Sequence, residues 1–354
     1  MTIAVGSLST QRPPSRTRPL LLLIPVAGML VVGSLSIGAV VLSPREVLEA
    51  LFSFGSSTPA ERIVFELRMP RVMAATLAGA ALATAGLLLQ TLFRNALASP
   101  WTLGITAGGQ LGAALVVVAG GVVGPAFLEG LSVLGNVSLV VGACAGCVAV
   151  ALAMTAVARR VGTVTLLVLG VMLGFLSQGL ISVIMHFTNR TRGRIFASWN
   201  DGSFAGLSWP DLPYLAAPAI VGLLAAILLV KPLNALLLGE TYAASLGLHV
   251  PTVRRVVLGV AVLLAGPVTA FCGPVLFLGL IIPHLCRTAL GTSDHRILVP
   301  IAAPAGAVLA LAADLFVHLP WEQHFLHLNA ILALVGAPFV IWMLLAKRDV
   351  QRLL

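Results

Sequence analysis

The sequence predicts an all-α, polytopic membrane protein of about ten transmembrane helices, and three observations carry that prediction. Of 354 residues, 59% are hydrophobic and only 9% charged, with mean hydropathy +1.05, whereas soluble domains carry roughly 25% charged residues. The apolar residues form long charge-free runs, among them 19–44, 72–93, 95–128, 130–158, 161–189 and 256–286. About 20 such residues span a bilayer as a helix. The runs lack the alternation of a membrane β-barrel, so helices are left to satisfy backbone groups in lipid.

Ten spans follow in order: 20–42, 69–92, 101–121, 133–158, 163–187, 211–231, 252–271, 274–291, 297–317 and 328–346. Residues 1–18, rich in Pro, Ser and Arg, are expected to form a disordered cytoplasmic tail. Residues 19–348 would be the membrane domain and 349–354 a second cytoplasmic tail. The first run is too long for a signal-peptide h-region, and no A-x-A-like site follows it, so it is expected to be a span.

Basic residues set the orientation. With the N-terminus inside, only seven of the 21 Lys and Arg fall outside: Arg45, Arg62, Arg68, Arg71, Arg190, Arg192 and Arg194. An even number of spans also returns Lys347 and Arg348 to the inside. The net charge of +9 is therefore a topology signal and implies no nucleic-acid partner.

Several chemistries have no support. Val230 and Ala346 precede the two lysines, so no phosphate-binding P-loop exists. No nucleophile–base constellation of a membrane enzyme appears. Cys144 and Cys147 form a C-x-x-C without a partner pair, and read as small buried side chains. The seven histidines match no ligand spacing, so no metal site and no cofactor is expected on this chain.

Other stretches are informative. Arg68 and Arg71 stand three apart at the outer mouth of the second span, either as interfacial anchors or as fixed cations for acidic groups. Gly104, Gly108 and Gly112, with Gly142 and Gly146, have the four-residue spacing that lets helices approach closely. In the fifth span Gly170, Gly174, Gln178, Ser182 and His186 recur four apart, a stripe suited equally to packing or to lining a path. Residues 188–211, with three arginines and two tryptophans, suggest a short interfacial helix and loop. Gly266-Pro267, Gly273-Pro274 and Pro283 predict kinks or half-helices. Asp314 and His318, four apart, read as a structural pair.

The stretches "RMPRVMAATLAGAALATAGLLLQTLFRNALASPWTLGITAG", "LNALLLGETYAASLG", "FLGLIIPHLCR" with "DHR", and "LVGAPF" resemble the FecCD-like permeases, the membrane subunits of ABC importers for iron-siderophores, haem and vitamin B12. The likeness covers about 20–346. It implies a permease domain that works as a dimer in the bacterial inner membrane, as a homodimer or with a paired homologue. Two cytoplasmic ATPase subunits, which hold ATP and Mg, would bind below, and an external binding protein would dock above. Ferric siderophore is the default cargo, with haem and cobalamin open.

Residue by residue, the resemblance implies that Arg68 and Arg71 meet glutamates of the binding protein. It assigns the inner gate to Thr163 and Val164 and favours path lining for the Gly170–His186 stripe. Segment 233–248 would form coupling helices in a cleft of the ATPase, with Leu236, Leu238, Gly239, Glu240, Ala244, Leu246 and Gly247 carrying the contact. Glu240 is the only acid among neighbouring inner-face basic residues, and Gly239 and Gly247 permit sharp turns. An amphipathic connector lying on lipid is the bland alternative.

Two departures stand out. His327 and Asn329 replace the family's usual Pro and Gly before the last span, and the 318–327 loop lacks an arginine. Docking would then lean on Arg68 and Arg71, with Arg190, Arg192 and Arg194 as further candidates. The competing function is a gradient-driven secondary transporter with Asp314, Gln178 and His186 as relay groups. Those groups are few, and no inverted repeat is evident.

Overall fold

A computed structural model describes residues 18–52, 58–122, 137–158, 160–320 and 326–345. Residues 1–17 of the expected N-terminal tail, the C-terminal tail, Arg159 and the centre of the 318–327 loop lie outside the described residues. Among those described, regular structure is entirely helical: α1 (Arg18–Ser36), α2 (Pro44–Phe52) and α3 (Pro59–Arg62), the last running through a π-helical turn, Ile63–Arg68, into α4 (Met69–Leu92). Then come α5 (Ile105–Val122), α6 (Val137–Val157), α7 (Thr163–His186) and α8 (Arg190–Asn200). The chain continues through α9 (Leu212–Leu228), α10 (Val230–Leu237), α11 (Glu240–Ser245) and α12 (Val250–Cys272). It ends with α13 (Leu278–Leu290), α14 (His295–Val317) and α15 (Leu328–Leu345).

Five of these helices are long and apolar enough to cross a membrane; α9 reaches that length only together with α10, from which it is bent by 55°, and four shorter helices are apolar. These ten segments fall where the ten runs predict them. Helices α2 and α3 were not foreseen.

The centre of the fold is α4, buried along nearly its whole length and packed against α14, α12 and α13. Lipid tails are as apolar as leucine, so association relies on close packing rather than on a hydrophobic force. Small residues supply it. Gly79 meets Gly306 of α14, and Gly86 meets the backbone of Gly279 in α13. The spaced glycines of α5 and α6 behave as predicted: a Cβ on Gly112 would lie 2.8 Å from the carbonyl carbon of Gly142, and one on Gly146 2.7 Å from that of Gly108. Gly104 is different. It stands at φ +73° in the turn before α5, against the Gly170 carbonyl.

Of the three expected proline breaks, only Gly273-Pro274 interrupts a helix; α12 runs through Pro267 and α13 through Pro283. Gly273 (φ 71°) ends α12, and Phe277 (φ 64°) stands immediately before the short α13. The freed backbone groups find partners. Trp199 Nε1 donates to the Ala270 carbonyl (3.2 Å) and the Ser203 amide to that of Cys272 (2.9 Å). Asn329 donates to the Pro274 carbonyl (2.7 Å) and accepts from the Leu276 amide (3.1 Å). Protein groups thereby replace the water that lipid cannot provide. The Asn329 departure is a structural tie, and α15 still starts at Leu328.

Candidate functional site

The segment between α9 and α12 folds as two short helices, α10 and α11, hinged at Gly239. Its φ of 109° and ψ of 152° lie in a region essentially reserved for glycine. Gly247 (φ 86°) turns the chain back toward α12. Leu233, Leu236 and Ala243 point into the protein. Leu238 (63% exposed), Tyr242 (52%) and Leu246 (59%) stand out with Ala244 as an apolar tip. This corrects one expectation: Leu236, foreseen as a contact residue, is an anchor of α10, and Tyr242, overlooked in the sequence, takes its place on the tip.

A polar network fixes α10 from behind. Asn234 donates to Asp294 Oδ1 (2.7 Å) and accepts from the His295 amide (2.9 Å), while His295 Nε2 lies 2.7 Å from Thr91 Oγ1 in α4. Glu240 is therefore not the only acid near this element. Replacing Gly239 by alanine should cost about 1–3 kcal/mol of local strain. Hydrogen exchange across 238–248 should rise several-fold while α14 stays protected; unchanged exchange would show that the turn accommodates a Cβ.

Glu240 reaches across to the predicted gate. Thr163 Oγ1 donates to Glu240 Oε1 at 2.6 Å. Arg254, from the first turns of α12, donates to both Glu240 oxygens (2.9 and 3.2 Å) and to Thr163 Oγ1 (3.1 Å). Its other Nη donates to the carbonyls of Ala158 (3.0 Å) and Val161 (3.1 Å). Burial alone would push the Glu240 carboxyl up, but Thr163 and Arg254, with Arg94 further off, hold it below the ordinary carboxylate range. Glu240 is thus ionised near neutral pH. Val164, beside Thr163, is exposed. Arg254 was counted in the sequence only as an inner-face cation; a guanidinium buried at a helix start is the feature that marks it.

Helix α7 is apolar, yet it buries only Leu166, Gly170, Ser177 and Ile181. The predicted stripe divides. Gly170 packs on Leu103, Gly174 faces open space, and Gln178, Ser182 and His186 are exposed. Gln178 donates to Gln110 Oε1 (2.7 Å), and Gln110 donates to Asn200 Oδ1 (2.6 Å). A polar chain thus joins α7, α5 and α8; Gln110 and Asn200, single amides in apolar or loop sequence, gave no earlier signal. As predicted for 188–211, a short helix forms there: α8, capped by Asn189, whose Oδ1 accepts from the Arg192 amide (2.9 Å).

At the opposite end of the fold the two predicted docking arginines are interior groups, at 5% and 6% exposure. Arg68 donates to the carbonyls of Leu35 (2.5 Å) and Val40. Arg71 donates to the Ser34 carbonyl (2.7 Å) and pairs with Asp314, Nε to Oδ2 at 3.2 Å. The last carbonyls of a helix lack intrahelical partners, and these two side chains cap the end of α1. The docking assignment is corrected accordingly: neither guanidinium is presented outward. Asp314 does lie beside His318 (3.4 Å), as expected, but Arg71 is its nearer ionic partner. It is not a free relay group. Among the described residues, no group of three or more His, Cys, Asp or Glu could hold a metal ion.

Comparison with known proteins places this arrangement. The solved structure of an inward-facing, metal-chelate type ABC transporter superposes with a TM-score of 0.78 at 25% identity, covering 94% of this chain and all of that one. The vitamin B12 import system permease protein BtuC of Vibrio cholerae is 35% identical over 320 residues, 89% of this chain and 92% of that protein. Its counterpart in Escherichia coli O9:H4 is 35% identical over 289 residues, 81% of this chain and 85% of that protein. The profile described as the FecCD transport family matches residues 22–346, nearly the whole chain from α1 to the end of α15, and the chain belongs to that family.

Proposed function

We propose that this chain is the membrane-spanning subunit of an ATP-driven importer that moves a metal chelate into the cell. It is a transport permease rather than an enzyme; the ATPase sites reside on two separate subunits. The observation that carries the reading is the pairing of an apolar tip, Leu238, Tyr242 and Leu246, with an ionic anchor beneath it at Glu240. A connector resting on lipid has no need of a carboxylate wired to a neighbouring loop.

In this reading the tip fits a cleft on the ATPase, and the inner side is the one rich in basic residues. A second permease copy covers part of α7. Val164, Gly174, Gln178, Ser182 and His186 then line the path, with Thr163 at its inner end, while Gly170 stays in the packing against Leu103. An external binding protein delivers the cargo, and alternating access follows from the different affinities of nucleotide states for the two conformations. Cobalamin, the cargo in the names of the relatives, is the first candidate and ferric siderophore the second. Docking of the binding protein uses exposed groups such as Arg190 and Arg194.

The test is gentle purification from native membranes. A stoichiometric P-loop ATPase should come with the chain, and its hydrolysis should rise when a binding protein loaded with cobalamin or a ferric siderophore is added. An intact, solitary chain whose uptake survives ATP depletion but collapses with an ionophore would overturn the proposal in favour of gradient-driven transport.

A further inference from the structure

We infer that Arg254 is a positioning residue that makes the coupling element and the inner loop move as one body. The inference deepens the importer reading and rests on it for the roles of the two ends. Arg254 is buried, and its guanidinium ties two stretches of chain together: the connector between α6 and α7, through the Ala158 and Val161 carbonyls and Thr163 at the head of α7, and the first residue of α11, Glu240. A planar guanidinium with five donors in a fixed fork can hold such a set together; a lysine ammonium, a point charge on a flexible stem, cannot reproduce it.

The local backbone leaves this work to the side chain. Gly162, which precedes α7, provides no side-chain cap, and while the backbone amides of Arg160 and Val161 take the Val157 carbonyl at the end of α6, the Ala158 and Val161 carbonyls beyond it are held by Arg254. Helix α7 itself packs chiefly on α5. A displacement of α11 therefore reaches the start of α7 through Glu240, Arg254 and Thr163, over contacts of 2.6–3.2 Å. Thr163 closes the triangle by bonding both ionic partners, so the three groups have no slack to absorb a shift.

The test uses the complete importer, permease with ATPase and binding protein, reconstituted in lipid vesicles, and reads cargo moved per ATP hydrolysed. Arg254→Ala should lower that ratio about tenfold, the usual size of a coupling between sites, while hydrolysis continues. Arg254→Lys should restore part of it. A merely structural cap would reduce the amount of folded complex and leave the ratio unchanged.

A second readout is independent of transport. Spin labels on Arg160→Cys and Ser245→Cys, with Cys144→Ala removing the half-buried thiol, should keep one narrow distance in every nucleotide state. In Arg254→Ala that distance should broaden. If Arg254→Ala fails to fold, Glu240→Gln removes the ionic link with the arginine in place and should lower the ratio in the same direction. A wild-type ratio together with an unbroadened distance in these variants would overturn the inference. Absence of any ATP-dependent uptake by the unaltered complex would overturn the importer reading instead, and the label distance alone would then decide whether Arg254 joins the two segments.

Discussion

Replacing Arg71 by alanine is expected to destabilise the folded protein by about 3–5 kcal/mol, the usual cost of removing one partner from a buried ion pair. Arg71 and Asp314 are nearly inaccessible, and among the described residues Asp314 would be left with His318 as its ionic neighbour. The end of α1 would also lose the donor to the Ser34 carbonyl. Arg71→Glu should be worse, since it sets a second carboxylate against Asp314. The double variant Arg71→Met/Asp314→Leu should recover much of the loss, because a well-packed apolar pair often matches a buried ionic one. Thermal unfolding of detergent-solubilised protein, followed by loss of monodispersity, would rank the three. A docking role predicts the opposite pattern, with Arg71→Glu as stable as the natural protein and impaired only in binding its external partner at low salt.

That contrast marks where the sequence was and was not legible. Hydropathy located the long apolar helices among the described residues, because span length is fixed by bilayer thickness and needs no tertiary knowledge. The two short helices α10 and α11 were equally readable, because Gly239 and Gly247 permit the sharp turns that bound them. Arg68 and Arg71 were not readable. Their spacing fits an outward pair as well as an inward one, and only the fold brings the end of α1 and Asp314 to them. Leu236 was misassigned for the same reason, since three consecutive leucines do not say which faces the core. Arg254 was legible as a charge and silent as a link, because its partners come from the connector between α6 and α7, the head of α7 and α11. Long-range polar contacts have no period, and periodicity is what a single sequence exposes.

Glycines at helix crossings belong to that same class where, unlike the four-residue rows of α5 and α6, they stand alone, and one of them carries the second large effect. Gly86→Ala is expected to cost at least the 1–3 kcal/mol or so typical of overpacking, because the new methyl group would overlap the Gly279 backbone of α13, not a side chain that can rotate away. Only movement of α13 relieves the clash. That movement would pull Leu280 from Gln90 Nε2, now at 3.1 Å, and Gln90 Oε1 from Arg287, now at 2.5 Å. Arg287 is buried, and Gln90 is the hydrogen-bond partner its side chain has among the described residues, so the loss would spread beyond the methyl group. Gly28→Ala is the matched control, the same substitution on a helix with open space around it, and should leave stability within about 0.5 kcal/mol. If the two variants unfold at the same temperature, α4 and α13 do not approach as closely in the membrane as their backbones do here. A marked loss confined to Gly86→Ala would establish that the short half-helix is held in place by this crossing.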